Sequence, residues 1–196
     1  PGRVALMLGR LLRGRGAGAE ADAAPGAPGT AAVLMVCMGN ICRSPTAEAV
    51  LRSRLRAAGL HRRVAVDSAG TIDHHAGAPP DPRAVRHGAA RGYELQGLRA
   101  RGVAPADFER FRWVLAMDEA NLEWLRGRCP AGSPARLGLL LDHAPHLGER
   151  AVPDPYYGPP AGFERVLDLV EAGCDGFVAW LLAGGLDSPR LDQGSS

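Results

Sequence analysis

The sequence contains no lysine, and all 23 of its basic residues are arginine. Because 21 acidic residues nearly balance them, no strongly basic face is expected, and nucleic acid is not a predicted partner. The chain also lacks an uninterrupted apolar run of membrane-spanning length, which argues against a membrane partner. With 46% hydrophobic and 22% charged residues over 196 positions, the composition is typical of one globular domain.

Cysteine is scarce as well, with four residues at positions 37, 42, 129 and 174. They could form a disulfide framework, but the missing secretory signal and the size of the chain favour a reducing compartment. A cytoplasmic location is therefore predicted, and the closely spaced Cys37 and Cys42 are expected to be catalytic or metal-binding. Cys129 and Cys174 lack the spacing of metal ligands and are expected to be ordinary thiols.

The first thirty residues differ from the rest of the chain. They carry four arginines before their first acid and then consist mainly of alanine, glycine and proline. This composition predicts a disordered extension over residues 1–30, then one folded domain over residues 31–185 and a disordered tail over residues 186–196. An Arg-rich, acid-poor start is also typical of an organelle transit peptide, so organelle targeting stays open as an alternative.

Apolar runs of strand length alternate with helical periodicities from residue 31 onward. The predicted strands lie at 32–36, in RVAVDSAGT at 63–71, in FRWVLAM at 111–117 and in RLGLLL at 136–141. The predicted helices begin at the N-cap Ser44 with Pro45, at Asp81 with Pro82, at Asp118 and near Phe163. This alternation indicates a three-layer α/β fold, in which a four-stranded parallel sheet is flanked by helices on both faces in a flavodoxin-like arrangement.

The turn between the first strand and the first helix has the features of an anion site. In VCMGNICRSPTAEAV, residues 36–50, backbone N–H groups and the positive end of the helix dipole lie at the turn. Gly39 allows a ligand to approach the backbone, and Asn40 tolerates a left-handed conformation. Arg43 adds a planar fork that matches two phosphate oxygens. Cys37 is favoured as a thiolate there, so the sequence predicts a nucleophile inside a phosphate-binding loop.

Read in full, this stretch resembles the low-molecular-weight protein tyrosine phosphatases, and the resemblance extends over residues 32 to about 183. Later segments follow in the order of that family: DSAGT at 67–71, GAPPDPRA at 77–84 and VPDPYYG at 152–158. The resemblance implies a small parallel sheet with the phosphate-binding loop after its first strand. It also implies hydrolysis of phosphotyrosine through a cysteinyl-phosphate intermediate, with a phosphotyrosine-containing protein as the partner. Neither a metal nor another cofactor is implied.

The resemblance assigns roles to individual side chains. Cys37 is the implied nucleophile, Arg43 the phosphate clamp and Ser44 the partner of the thiolate. Asn40 and Ser68 belong to the hydrogen-bond network that holds the loop. The implied substrate-binding residues are Met38, Gly39, Asn40, Ile41, Cys42, Ser44, Tyr156 and Tyr157.

The DPYYG segment supplies the second half of the implied chemistry. Because a phenolate leaves poorly until it is protonated, a positioned acid is needed, and Asp154 fits that role. Tyr156 and Tyr157 on the same loop can form the wall of a deep slot and stack on a substrate ring. Asp118 is expected to cap its helix and, by resemblance, to support the active loop.

The resemblance also leads to expectations for Cys42 and Leu98. Cys42 matches the resolving position of the family, which predicts a reversible Cys37–Cys42 disulfide after peroxide treatment. Simple packing at the start of the helix is the alternative role for Cys42. Leu98 stands where many members carry a histidine that braces the phosphate-binding loop, a departure that bears on the rigidity of the loop.

Three rival functions share parts of this pattern. Arsenate reductases relay oxidation through further cysteines, and only Cys129 lies in the comparable stretch of this chain. Phosphoarginine phosphatases typically carry threonine where Ile41 stands. A non-catalytic phosphoprotein-binding module would usually have lost Cys37, Arg43 or Asp154. Turnover is the observation that separates such a module from an enzyme.

Histidines offer a separate candidate for a metal site. They include an adjacent pair in one loop and two more residues far along the chain, at His74, His75, His143 and His146. Adjacent histidines in a polar loop are more often solvated than bound to metal, so no metal site is predicted.

Overall fold

In the computed structural model, which describes residues 21–188, four strands form a parallel sheet. They are β1 (Ala31–Cys37), β2 (Val64–Gly70), β3 (Trp113–Ala116) and β4 (Arg136–Leu139), in the order β2-β1-β3-β4. All three neighbouring pairs are parallel, so the predicted α/β sheet is confirmed. Strand β4 ends two residues before the predicted boundary because a 3-10 turn begins at Leu140.

Helices connect the strands and follow the last one. They are α1 (Arg43–Ala57), α2 (Pro82–Ala90), α3 (Asp107–Arg110), α4 (Glu119–Arg126) and α5 (Ala161–Trp180). The 3-10 turns Leu140–His143 and Pro145–Leu147 follow β4, and a π-helical turn, Leu181–Gly185, follows α5. Helix α3 has no counterpart in the sequence prediction, because four residues are too few to show a helical period.

Two apolar clusters cover the two faces of the sheet. Alternate residues of a strand point to opposite faces, so the buried β1 divides its side chains between the clusters. One cluster joins β1 to α1 and α5 and includes Val33, Met35, Leu51, Val170 and Phe177. The other joins β1 to α3 and α4 and includes Leu34, Val36, Phe108, Leu122 and Leu125. The three-layer arrangement is therefore also as predicted.

Helix α1 begins two residues earlier than the sequence suggests. Cys42 occupies its N-cap position without a capping side-chain hydrogen bond, and Arg43 is the first helical residue. The prediction that Ser44 caps the helix is wrong, because its hydroxyl is engaged with Cys37 and Asn40 instead.

Two carboxylates cap the helices that face the same end of the sheet. Asp81 accepts a hydrogen bond from the backbone N–H of Arg83 at 2.8 Å and caps α2. Asp118 accepts one from the backbone N–H of Asn121 at 2.8 Å and caps α4, as predicted. Side-chain capping satisfies N–H groups that have no partner within a helix.

The structure describes part of each predicted terminal segment. Asp22, within the predicted extension, forms a 2.8 Å ion pair with Arg56, and the backbone N–H of Ala23 donates to a carbonyl in the folded domain at 2.8 Å. Leu186, within the predicted tail, is buried. Asp22, Ala23 and Leu186 therefore contact the domain, and the disorder of the two terminal segments stays a prediction. The remainder, residues 1–20 and 189–196, lies outside the described residues.

None of the helices in residues 21–188 has the length and apolar character needed to cross a membrane.

Candidate active site

Three strand ends meet where the first turn begins. Cys37 at the end of β1 lies beside Gly70 at the end of β2, and Val36 lies beside Ala116 at the end of β3. The segment from Cys37 to Arg43, called the phosphate loop below, crosses this edge. Gly70 must be glycine, because a Cβ there would lie 2.6 Å from the carbonyl oxygen of Met38. The sheet thus supports the phosphate loop from directly beneath.

Asn40 holds the phosphate loop in shape through three hydrogen bonds. It is buried and has a positive φ of 55°, the left-handed conformation that the sequence indicates for it. Its Oδ1 accepts from the backbone N–H of Arg101 at 2.9 Å, and its Nδ2 donates to the hydroxyls of Ser44 and Ser68, both at 2.9 Å. The backbone N–H groups of residues 38–42 donate to no other group within residues 21–188 and can face an anion.

The thiol of Cys37 lies within reach of one hydroxyl. Its Sγ is 3.1 Å from the Oγ of Ser44, which also lies 3.3 Å from the carbonyl oxygen of Ala69. Because Asn40 donates to the same hydroxyl, the proton of Ser44 is directed towards the sulfur or that carbonyl. A thiolate at Cys37 would therefore find a hydrogen-bond donor already in place.

A buried carboxylate stands at the far end of this network and was missed by the sequence analysis. Glu48 on α1 is 2% exposed, accepts a 2.6 Å hydrogen bond from the hydroxyl of Ser68, and pairs with Arg52 at 2.6 Å. Burial raises the pKa of Glu48 to about 7 and outweighs the opposing effects of Arg52 and Ser68. The only sequence signal was a charged residue among the apolar positions at the start of a helix.

Arg43 connects the phosphate loop to two other segments. The side chain is 3% exposed; its Nη1 donates to Asp118 at 2.5 Å and to the carbonyl of Val152 at 3.1 Å. Its Nη2 donates to Asp154 at 2.9 Å. Burial disfavours the guanidinium charge, but Cys37 and the two carboxylates outweigh it and raise the pKa of Arg43. The structure therefore brings the predicted nucleophile loop, Asp118 and Asp154 together.

Asp118 and Asp154 hold Arg43 in different ways. Asp118 caps α4 with one oxygen and binds Arg43 with the other, so it is fixed at both ends. Asp154 is 45% exposed, and its second oxygen accepts the backbone N–H of Tyr156 at 3.1 Å. Asp118 is thus suited to hold the arginine, whereas Asp154 is free to face solvent or a substrate.

Exposed apolar and aromatic side chains lie on the phosphate loop and on the segment that carries Asp154. Met38 is 51% exposed, Tyr156 37% and Tyr157 98%. The two tyrosine rings meet edge to face with centroids 4.8 Å apart. Ile41 is half-buried against the core, and Tyr157 makes no described contact with the phosphate loop.

Leu98, the position of the frequent histidine, packs against the apolar cluster beneath α1 and α5. It makes no polar contact with the phosphate loop, whose described bracing runs through Asn40, Ser44 and Ser68. The position of Leu98 therefore leaves the loop network intact.

Cys129 and Cys174 lie outside the phosphate loop, whereas Cys42 is part of it. All four thiols are free, and burial raises the pKa of Cys174 well above its ordinary value. Burial, followed by Asp81, raises the pKa of Cys42 to about 12. Within residues 21–188, no three His, Cys, Asp or Glu side chains lie close enough together to hold a metal ion.

A parallel α/β sheet that carries a cysteine and a buried arginine at the two ends of one loop is the arrangement expected of a cysteine-dependent phosphatase. A model of the family "low molecular weight phosphotyrosine protein phosphatase" matches residues 32–184. The chain belongs to this family and is a protein tyrosine phosphatase, a hydrolase that works through a phosphocysteine.

Individual relatives agree with this assignment. The low molecular weight protein-tyrosine-phosphatase of Streptomyces coelicolor is 44% identical over 150 residues, which are 75% of this chain and 91% of the relative. The low molecular weight phosphotyrosine protein phosphatase 2 of Drosophila melanogaster is 43% identical over 74% of this chain and 89% of its own length. A crystal structure of a protein tyrosine phosphatase from Entamoeba histolytica superposes with a TM-score of 0.77 at 37% identity, over 80% of this chain and 99% of the other.

Proposed function

We propose that Cys37, Arg43 and Asp154 carry out phosphotyrosine hydrolysis in this chain. The observation that carries the assignment is the position of Arg43, buried between Asp118 and Asp154 at the far end of the loop that begins with Cys37. A phosphate dianion that enters the loop meets backbone N–H groups and the guanidinium fork. It takes the place of Asp154 as the partner of Nη2, which leaves that carboxyl beside the leaving oxygen.

In the first step, the thiolate of Cys37 attacks phosphorus and the bond between phosphorus and the tyrosine oxygen breaks. Protonated Asp154 gives its proton to that oxygen, so tyrosine leaves as a neutral phenol. The phosphoryl group is then bonded to sulfur. Arg43 and the loop amides stabilise its equatorial oxygens, as expected for a transfer governed by positioning and electrostatics.

In the second step, Asp154 acts as a base. Its carboxylate takes a proton from a water molecule, whose oxygen attacks phosphorus while the bond to sulfur breaks. Phosphate and the Cys37 thiolate are released, and the hydroxyl of Ser44, 3.1 Å from the sulfur, donates a hydrogen bond to the departing thiolate. Both steps use protein groups and water, with no metal or cofactor in a role.

The proposed substrate is a phosphotyrosine-containing protein. Exposed Met38 and Tyr156 offer apolar and aromatic surface at the opening, where a phenyl ring would lie when its phosphate occupies the loop. Ile41 adds apolar surface within the loop itself. Tyr157, almost fully exposed, is placed to contact residues that flank the phosphotyrosine.

Phosphate release tests the proposal. The wild-type chain, Cys37→Ser and Asp154→Ala are assayed with para-nitrophenyl phosphate and a phosphotyrosine peptide in the presence of a chelator, with a phosphoarginine peptide for comparison. We expect no turnover by Cys37→Ser and a loss in kcat/KM of about 10² to 10⁴ for Asp154→Ala. Retained phosphopeptide binding without turnover by the wild-type chain would replace this mechanism with a binding module. Preference for phosphoarginine would overturn the substrate class.

A redox role for Cys42 is a second proposal. Oxidation of Cys37 by peroxide gives a sulfenic acid, and attack by Cys42 on its sulfur forms a disulfide and releases water. Cys42 is buried next to α1 and follows Cys37 by five residues, which supports a short-range partnership. Peptide mapping of the non-reduced, peroxide-treated protein is expected to find the Cys37–Cys42 pair. Irreversibly oxidised Cys37 alone would contradict it.

The free thiols also support a reducing, cytoplasmic compartment. Localisation of the full chain with and without residues 1–30 tests this, since retention in an organelle only with residues 1–30 present would establish targeting instead.

A further inference from the structure

Arg83, near the start of α2, joins three parts of the molecule around the active site. Its Nε and Nη2 donate to the carboxylate of Asp81 at 3.0 and 2.8 Å, while its Nη1 donates to the carbonyl oxygen of Tyr156 at 3.0 Å. The guanidinium also lies over the rings of Tyr156 and Phe163, 5.4 and 4.8 Å from their centroids. One side chain therefore touches α2, the start of α5 and the segment between Val152 and α5.

That segment, residues 153–160, carries Asp154 and is called the acid loop below. Among the described residues, two side-chain hydrogen bonds tie it to the rest of the domain: Arg43 to Asp154 and Arg83 to Tyr156. The first bond is given up when a phosphate dianion takes the Nη2 of Arg43. Among the described residues, the bond from Arg83 is then the side-chain hydrogen bond that remains between the acid loop and the domain.

The position of Arg83 is itself fixed to the phosphate loop. The backbone N–H of Asp81 donates to the carbonyl of Ile41 at 2.8 Å, and the carboxylate of Asp81 holds the guanidinium. At the other end, the N–H of Tyr156 donates to Asp154 while its C=O accepts from Arg83. A continuous series of hydrogen bonds therefore runs from the nucleophile's loop to the acid.

We propose that Arg83 is a positioning residue that holds Asp154 over the leaving oxygen of the substrate. The proposal rests on the role of Asp154 as the acid, proposed above. Arg83 does not touch the reacting atoms; it sets the distance between the acid loop and the phosphate loop. A displacement of about 1 Å at a catalytic group is enough to slow a reaction by up to about 10².

The dependence of rate on the leaving group tests this role. Phenyl phosphate releases a phenol with a pKa close to that of tyrosine, about 10, and needs the acid, whereas para-nitrophenyl phosphate releases a more acidic phenol and needs it less. For Arg83→Ala, we expect kcat/KM for phenyl phosphate to fall about tenfold more than for para-nitrophenyl phosphate. The quantity compared is the ratio of kcat/KM for phenyl phosphate to kcat/KM for para-nitrophenyl phosphate. Arg83→Lys, which can keep a single hydrogen bond, should recover part of the fall in that ratio.

Two controls make the result specific. Arg86→Ala removes an exposed arginine of the same helix and should leave the ratio unchanged. In an Asp154→Ala background, Arg83→Ala should change the ratio no further, because no acid is left to position. If Arg83→Ala alone does not fold, as judged by thermal unfolding, the comparison is made with Arg83→Lys and Arg83→Gln.

The outcomes separate the two proposals. An equal loss on both substrates, or an unchanged ratio in Arg83→Ala while Asp154→Ala lowers it, overturns the positioning role and leaves the acid assignment intact. An unchanged ratio in Asp154→Ala overturns the acid assignment and the positioning role with it.

Discussion

The two sides of the active site are built differently. The phosphate loop is fixed by buried side chains, since Asn40, Ser44, Ser68 and Glu48 are each no more than 3% exposed. The acid loop carries its functional groups at the surface, with Asp154 45% and Tyr157 98% exposed. The fold itself thus sets the geometry of phosphate binding, whereas that of the leaving-group side depends on a few side-chain hydrogen bonds.

This difference matches what each side must do. Phosphate oxygens are common to every substrate, so the groups that bind them can be fixed in advance without narrowing the range of substrates. The leaving group is part of a larger protein and must enter and depart past the acid loop, which requires an accessible surface. We therefore expect substitutions in the phosphate loop to affect all substrates alike and substitutions in the acid loop to depend on the leaving group.

Among the substitutions that compare the two sides, the largest expected effect lies at Arg43, which both sides share. Lysine keeps the charge but cannot bind Asp118 and a phosphate together through a planar fork. Arg43→Lys should lower kcat/KM about 10³-fold for para-nitrophenyl phosphate and phenyl phosphate alike. The same change at Arg150, whose side chain is 65% exposed, is the control and should have no effect. A loss below tenfold would mean that the clamp acts as a simple point charge.

Asn40→Ala tests whether the buried network is what fixes the phosphate loop. It removes three hydrogen bonds and places alanine at a positive φ, so kcat/KM should fall about 10²-fold on every substrate. Asn40→Gly accepts the same backbone conformation, and a similar loss in that variant would assign the effect to the hydrogen bonds.

Tyr157→Ala is the matched change on the exposed side. Its side chain is 98% exposed, so turnover of para-nitrophenyl phosphate should change by less than about threefold. A loss as large as that of Asn40→Ala would break the contrast between the two sides.

The contrast also explains which parts of the site could be predicted. The phosphate loop is one continuous stretch between a strand and a helix, so its anion-binding character and the left-handed Asn40 follow from local chemistry. Asp154 lies more than a hundred positions away and was found only through the resemblance of its segment to a family. The parallel direction of the strands followed from the alternation of apolar runs with helical periods.

Sequence reasoning missed contacts between distant positions. It also missed which of several possible hydrogen-bond partners a side chain uses. The bond from Arg83 to Tyr156 joins residues 73 positions apart, and no local pattern marks either of them as a pair. Ser44 has the chemistry of a helix cap, and only the tertiary arrangement shows that its hydroxyl is used by Cys37 and Asn40. At Ser44, local propensity was therefore outweighed by tertiary hydrogen bonds.

The proton on Glu48 is expected to affect stability rather than turnover. Its folded-state pKa of about 7 lies above its ordinary value of 4.5, so the folded protein holds a proton that the unfolded chain releases between these values. The stabilising effect of that proton is complete below about pH 4.5 and is lost as pH rises through 7. The free energy of unfolding should therefore fall by about 3 kcal/mol across this range.

Urea unfolding of the wild-type chain and Glu48→Gln at about pH 5 and about pH 8 measures this change in the free energy of unfolding. The variant lacks the titrating group, so its unfolding free energy should depend less on pH, by about 3 kcal/mol. Glu123→Gln, at an exposed position on α4, should behave like the wild type. Identical pH dependence in the wild type and Glu48→Gln would show that the carboxyl is ionised in the folded protein over the whole range.

The last expected effect concerns oxidation rather than turnover, at Cys42, whose pKa of about 12 reflects burial first and then Asp81, Cys37 and Asp154. Since the thiolate is the attacking form, its fraction rises about tenfold per pH unit below that value. After a short peroxide pulse at fixed pH, closure of the Cys37–Cys42 disulfide should accelerate about tenfold per unit between about pH 6 and pH 9. Cys129→Ser should leave this rate unchanged. A rate independent of pH would mean that Cys42 is not the attacking thiol, because the fraction of Cys42 present as thiolate changes with pH.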